Sequence, residues 1–166
     1  MASGNTLVVF TPYSNEPPAT IYATLDTRNG HPMLDFDGTA DEEAVFSGVL
    51  PAHYGGGGLT IETFWAFTSA ISGSLRVQAG IERIDLASLD IDADAFAACE
   101  SAGGTAPGIS GQVIKVTVTM TSGAQMDGLL VGETFRLKIR RDADGTSGID
   151  DITTDAELLA VHIKET

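Results

Sequence analysis

From Phe46 to Ile84 the chain keeps to a two-residue rhythm, and that rhythm limits its fold more than any other feature. Leu59, Ile61, Thr63, Trp65 and Phe67 alternate with Thr60, Glu62, Phe64 and Ala66. Leu75, Val77, Ala79 and Ile81 then alternate with Arg76, Gln78, Gly80 and Glu82. Side chains of an extended strand point to opposite faces in turn, so each segment has one apolar side to bury. Between them, Ser69-Ala70-Ile71-Ser72-Gly73-Ser74 has turn chemistry, with Gly73 free to take positive φ. This spacing predicts a long hairpin whose apolar face needs a second sheet to cover it.

The remaining segments supply that sheet. Short β-branched or alternating runs occur at Thr6–Phe10, Ile21–Leu25, Met33–Phe36 and Ala44–Leu50. Longer ones occur at Val113–Met120, Thr134–Arg141 and Ala156–Glu165. Ile114, Val116, Val118 and Met120 share one face, as do Phe135, Leu137 and Ile139, and Leu159, Val161 and Ile163. Asn29-Gly30 is a hairpin-turn signal, and Gly55 to Gly58 suit a sharp sheet-to-sheet corner. Pro12, Pro17 and Pro18 remove backbone donors, so this stretch reads as an extended arm or loop, and as an arm residues 1–20 could lie over a neighbouring subunit. Leu86, Leu89, Ala93, Phe96 and Ala97 have some helical spacing, which fits a short helix or an ordered loop. Ser101–Gln112, rich in Gly and Ser, reads as a flexible crossover. The expected fold is all-β: an antiparallel β-sandwich of jelly-roll type with about eight strands and at most one short helix, forming one domain over 1–166.

Composition narrows the function classes. A formal net charge of −14, from 23 acidic and 9 basic residues, disfavours binding to nucleic-acid phosphates and to anionic membranes. No apolar run reaches the roughly 18–20 residues that span a bilayer. The opening MASGNTLVVF has no basic stretch ahead of its apolar residues, so a secretory leader is not expected and assembly in a cytoplasm is. The single cysteine, Cys99, cannot form an internal disulfide and reads as a small packing group.

The motifs give little chemistry. Asp35-Phe36-Asp37-Gly38-Thr39 resembles the DxDGT signature of haloacid-dehalogenase-like phosphatases, with loose echoes of later motifs at Thr68, Lys115 and Asp150-Asp151. In that family the first aspartate attacks phosphorus and Mg²⁺ bridges the carboxylates. The family places the motif after a buried parallel strand in an α/β fold, which this sequence does not provide, so a polar loop is the expected reading. Asp90, Asp92 and Asp94 open like an EF-hand loop, but Ala95 replaces the required glycine and Ser101 the final glutamate. Asp142, Asp144, Asp150 and Asp151 could gather around Ca²⁺, although solvated loop carboxylates explain them as well. His31, His53 and His162 have no metal-ligand spacing, and His162 falls on the outward face of its strand. Trp65 and Phe67 share a face with Leu59 and Ile61 and are assigned to the core, whereas Tyr13, Tyr22 and Tyr54 are placed as surface contacts. No catalytic, cofactor-binding or metal-binding residue is assigned.

The segments FSGVLPAHYGGGGLTIETFWAF, IERIDLASLDIDADAFA, FRLKIRRDADG and AELLAVHIKET, within Asp35–Thr166, resemble virion proteins of tailed bacteriophages, including jelly-roll decoration (cement) proteins of the head. That resemblance implies a non-enzymatic structural protein on the capsid surface. It implies a homotrimer clamping the major capsid protein, without nucleic acid or membrane as partner and without a cofactor. Its contacts would lie along Thr6–Thr20, Asp90–Gln112 and Asp142–Thr154. The alternative is a carbohydrate- or receptor-binding β-sandwich module of a tail fibre or spike, which needs an exposed aromatic platform. The phosphatase is a remote third.

Overall fold

The structure is a computed structural model describing residues 4–166. The first three residues of the expected arm lie outside that range. Ten strands are present: β1 Thr6–Phe10, β2 Thr24–Arg28, β3 His31–Phe36, β4 Glu42–Val49, β5 Leu59–Phe67, β6 Ser74–Ile84, β7 Glu100–Thr105, β8 Ile114–Met120, β9 Thr134–Arg141 and β10 Ala156–Glu165. They form two antiparallel sheets of a jelly-roll sandwich. The larger runs β2-β3-β10-β5-β8, with β1 beside β3 on the same edge of β10, and the smaller runs β4-β9-β6-β7. Among the described residues, helical content is confined to two 3₁₀ turns, Pro12–Ser14 and Ala124–Met126.

The alternation predicts which side chains are buried. Leu59, Ile61, Trp65 and Phe67 of β5 are fully buried, as are Leu75, Val77, Ala79 and Ile81 of β6 and Phe135, Leu137 and Ile139 of β9. Trp65 meets Phe36 edge-on at 5.0 Å, and its indole N–H donates to Thr63 Oγ1 at 2.7 Å. The core role expected for Trp65 and Phe67 therefore holds.

The expected hairpin does not form. β5 pairs with β10 and β8, β6 pairs with β9 and β7, and the Ser69–Gly73 link carries the chain from one sheet to the other. Two apolar faces joined by a short link are buried equally well side by side or face to face, and here they form opposite walls of the core. The glycine corner at 55–58 likewise connects β4 in the smaller sheet to β5 in the larger. A Cβ on Gly58 would lie 2.2 Å from the Met120 carbonyl oxygen, so the close approach requires glycine there.

Two further expectations change, and a third, open between a short helix and an ordered loop, is decided for the loop. The crossover expected at Ser101–Gln112 begins as strand β7, which lacks apolar alternation and is held by its ladder to β6. Leu86–Ala97 contains no helix. It is an ordered loop on the outer face of the smaller sheet, with the Ala97 N–H on Ile81 O and the Phe96 ring under Lys138 Nζ at 4.8 Å and the Arg136 guanidinium at 5.2 Å. Leu159, expected inside, is half-buried on the outer side, because the β10 register shifts between Leu158 and Ala160. That bulge turns the strand over, so Ala156 and Leu158 face inward before it and Val161 and Ile163 after it.

Candidate functional site

The proline-rich segment does not leave the molecule as an arm. It folds back along β4, because its own polar groups complete the edge of that strand. Glu16 N–H donates to Val45 O at 2.7 Å, and Asn15 Oδ1 accepts the Val45 N–H at 3.0 Å. Further on, Ala23 N–H donates to Glu43 O and Glu43 N–H to Ile21 O. Ser47 Oγ donates to the Glu16 carboxylate at 2.7 Å. An edge with open N–H and C=O groups is a liability, and these contacts close it.

This anchoring presents two tyrosines. Pro12 starts the 3₁₀ turn that carries Tyr13, which is 70% exposed. Tyr22, 48% exposed, bridges to Glu43, and Ile21 before it takes a positive φ of 51°. Together they flank a cleft of about 250 Å³ completed by Pro12, Asn15, Pro17, Ala23, Thr24 and Leu25. Its lining contains no charged side chain, and Leu25 adds a half-exposed aliphatic surface. Large rings standing in water on a hydrogen-bonded frame are what a flat ligand with an apolar face can stack on. Tyr54, the third tyrosine expected at the surface, is buried instead, with its hydroxyl on Gly57 O.

A second cleft, of about 390 Å³, lies on the outer face of the larger sheet between the β2–β3 turn and the loop before β8. Met33, Val113 and Leu159 form its floor, and Arg28, Asn29 and His31 its rim. Asn29 and Gly30 both have positive φ, 48° and 78°, as the two-residue hairpin turn requires.

The aspartate motifs do not form a catalytic centre. Asp37 Oδ1 accepts from Thr39 N, Thr39 Oγ1 and Ala40 N, a local turn that holds its carboxyl below the usual range. Asp35 lies on β3 beside Asp155 and Glu42 in a small acidic cleft. Burial, reinforced by Glu157, Asp26, Asp155 and Glu42, pushes it up to about 6. Lys115 is paired with Glu62 at 2.7 Å, Asp150 with Arg141, and Asp151 with the Ser74 N–H, so the loose phosphatase echoes are each engaged elsewhere. The motif also ends a strand of an antiparallel sheet, without the parallel α/β setting that chemistry uses.

Of the carboxylates considered for calcium, Asp142 and Asp144 do come together, joined by Asp41. Asp142 already accepts from Thr146 and Ser147. Burial works to raise its pKa, and those donors outweigh it and bring the carboxyl down to about 2. Asp41 is held by Arg140. Asp90 caps the Asp92 N–H within the 85–99 loop. His53 lies on Thr6 O, and His162 on the Thr6 hydroxyl and Glu62, outward-facing as expected but engaged. Cys99 is half-buried against Gly80, and burial pushes its thiol up, away from reactivity.

No family model matches the sequence, and no curated protein matches it. Solved structures do share its fold. The CBM22-2 xylan-binding domain from Paenibacillus barcinonensis Xyn10C superposes with a TM-score of 0.53 at 17% identity, covering 92% of each chain. The CBM36-1 domain of a multidomain xylanase from the hindgut metagenome of Trinervitermes trinervoides gives 0.54 at 10% identity, covering 98% of each. The C-terminal CBM6 of LamC from Zobellia galactanivorans gives 0.50 at 14% identity, covering 97% of this chain and all of that one. These likenesses support the jelly-roll part of the virion resemblance. They lend no support to its capsid role, capsid partner or trimer.

Proposed function

We propose that this chain is a carbohydrate-binding β-sandwich module that holds an uncharged glycan against Tyr13 and Tyr22. The observation that carries the reading is the cleft itself: two exposed tyrosines, on a segment fixed to β4, facing a lining free of charge. A pyranose ring has an apolar C–H face that stacks on an aromatic ring. Its hydroxyls find partners at the cleft margin in the Thr24 hydroxyl, the tyrosine hydroxyls and the Asn15 amide. The overall charge of −14 favours neutral over acidic polysaccharides. The jelly-roll fold shared with domains described as carbohydrate-binding modules supports the reading at the level of architecture. The module binds its ligand without chemistry.

The test is titration calorimetry against xylo-, cello- and laminari-oligosaccharides, after a screen on immobilised polysaccharides. At least one neutral series binds, and Tyr13→Ala and Tyr22→Ala each weaken it by about tenfold or more, equivalent to about 1.4 kcal/mol. An empty screen overturns the reading, as does binding that survives both substitutions together.

A further inference from the structure

We propose that the cleft on the outer face of the larger sheet is a second, chemically different site, which takes a small amphipathic carboxylate. Its floor is aliphatic and lies at a break in strand regularity. Leu159 sits at the β10 bulge, outward in phase with the segment before it rather than inward with Val161 and Ile163 after it. There it joins the buried Met33 and the half-exposed Val113. Bulges re-aim side chains beside functional sites more often than elsewhere.

The rim supplies donors. Arg28 Nη1 donates to Phe67 O at 2.8 Å and to Glu157 Oε2 at 2.6 Å, and Nη2 donates to Ser110 Oγ at 2.6 Å. A guanidinium carries five N–H groups, so Nε–H and one Nη2–H lack an acceptor among the described residues. The group is held from behind while part of it stays available, which suits planar recognition of a carboxylate. Gly111 makes this arrangement possible. A Cβ there would lie 3.1 Å from Nη2 and 3.3 Å from Cζ of Arg28, and its φ of +78° also favours glycine. Asn29 and His31 complete the rim.

The lining contains no carboxylate, in a protein carrying 23 acidic residues. Glu157, the one acid in contact with Arg28, is 7% exposed and lies behind it. An apolar tail therefore fits the floor while its carboxylate meets Arg28 and Asn29. No tyrosine, tryptophan or phenylalanine lines this cleft, which separates its ligand from a sugar stacked on tyrosine. Because Glu157 already balances the guanidinium, the contribution is hydrogen bonding rather than net charge, and binding is weak and only mildly salt-dependent.

The probe is 4-methylpentanoate, with 4-methylpentanamide as its uncharged counterpart, titrated into the ¹⁵N-labelled full chain. Saturable shifts are expected at the amides of Asn29, Gly111 and Val113, with the acid about fivefold tighter than the amide or better. Leu159→Glu, at a part-buried position on the outer face, weakens the acid by about tenfold or more. Tyr22→Ala leaves it unchanged, so failure here is separable from failure of the glycan reading. Absence of saturable shifts overturns the proposal, as do equal affinities for acid and amide or indifference to Leu159→Glu.

Discussion

Arg141 and Asp150 form a two-point ion pair with almost no exposure to water: Nη2 to Oδ1 at 3.0 Å and Nε to Oδ2 at 3.2 Å, with side chains 0% and 1% exposed. Arg141 also donates to the carbonyls of Phe36, Ile152 and Thr154, and Asp150 accepts the Arg76 N–H at 3.0 Å. The pair thus ties the 142–155 loop to β3, β6 and β9. Removing one partner leaves a buried charge without its counter-ion, so Asp150→Ala is expected to cost about 3–5 kcal/mol. Urea denaturation with unchanged slope and a lower midpoint would show it. A loss under 1 kcal/mol would mean that water reaches Arg141.

Asp35 predicts an unusual pH dependence. Its folded-state value of about 6 lies above the ordinary aspartate value of 3.8, so the folded protein binds this proton more tightly than the unfolded chain does. The stabilisation is complete below about 4 and is lost as pH rises through about 6. Carboxyl ¹³C shifts should show Asp35 titrating near 6, and Asp35→Asn should raise the melting temperature at pH 7 more than at pH 4. A midpoint below 4.5 would contradict the burial of this group.

Glu62 behaves in the opposite sense. Lys115, Lys164 and His162 surround it at 2.7, 2.9 and 3.1 Å. Hydrogen bonding from Lys115, followed by that from Lys164 and His162, outweighs burial and brings the carboxyl down to about 2. Its stabilisation is present above about 4.5 and fades as pH falls toward 2. Glu62→Gln should cost about 1–2 kcal/mol at pH 7 and much less near pH 2. Equal costs at both pH values would remove the carboxylate's charge from the account.

At Gly104, β7 packs directly against β8. A Cβ there would meet Val116 Cγ2 at 2.5 Å and Ile114 Cδ1 at 3.1 Å, both from packed side chains. Gly104→Val should cost about 1–3 kcal/mol through overpacking. Amide exchange would speed up first along Glu100–Thr105, while β9 stays protected. Unchanged exchange in β7 would mean that Val116 can move aside.

The tyrosine cleft depends on a contact outside its rings. Asn15 Oδ1 caps the Val45 N–H and fixes the turn that carries Tyr13. Asn15→Ala should cost about 1 kcal/mol of stability and also weaken glycan binding, whereas Ser47→Ala, which loses only the Glu16 contact, should leave binding intact. Calorimetry of the two variants side by side would decide it.

The sequence by itself determined most of the extended segments and, where a run alternates, the face that it buries. Alternation in 59–67, 75–81 and 134–141 is a local property, and a strand's two faces follow from backbone geometry alone. The Asn29-Gly30 turn was equally legible, because positive φ at both positions is a local demand. Partnership was not legible. Alternation specifies a face and not a neighbour, so β5 and β6 read as a hairpin until packing placed them in opposite sheets. β7 carries no pattern because backbone pairing holds it, and one bulge reversed the phase of Leu159. Arg141 falls in phase with Ile139, but a buried arginine is tolerable only with Asp150 beside it, and that meeting is tertiary. Tyr13 and Tyr22 were readable as surface residues. Only the folding of residues 11–23 onto β4, through backbone hydrogen bonds and the Asn15 side chain, made them two sides of one cleft.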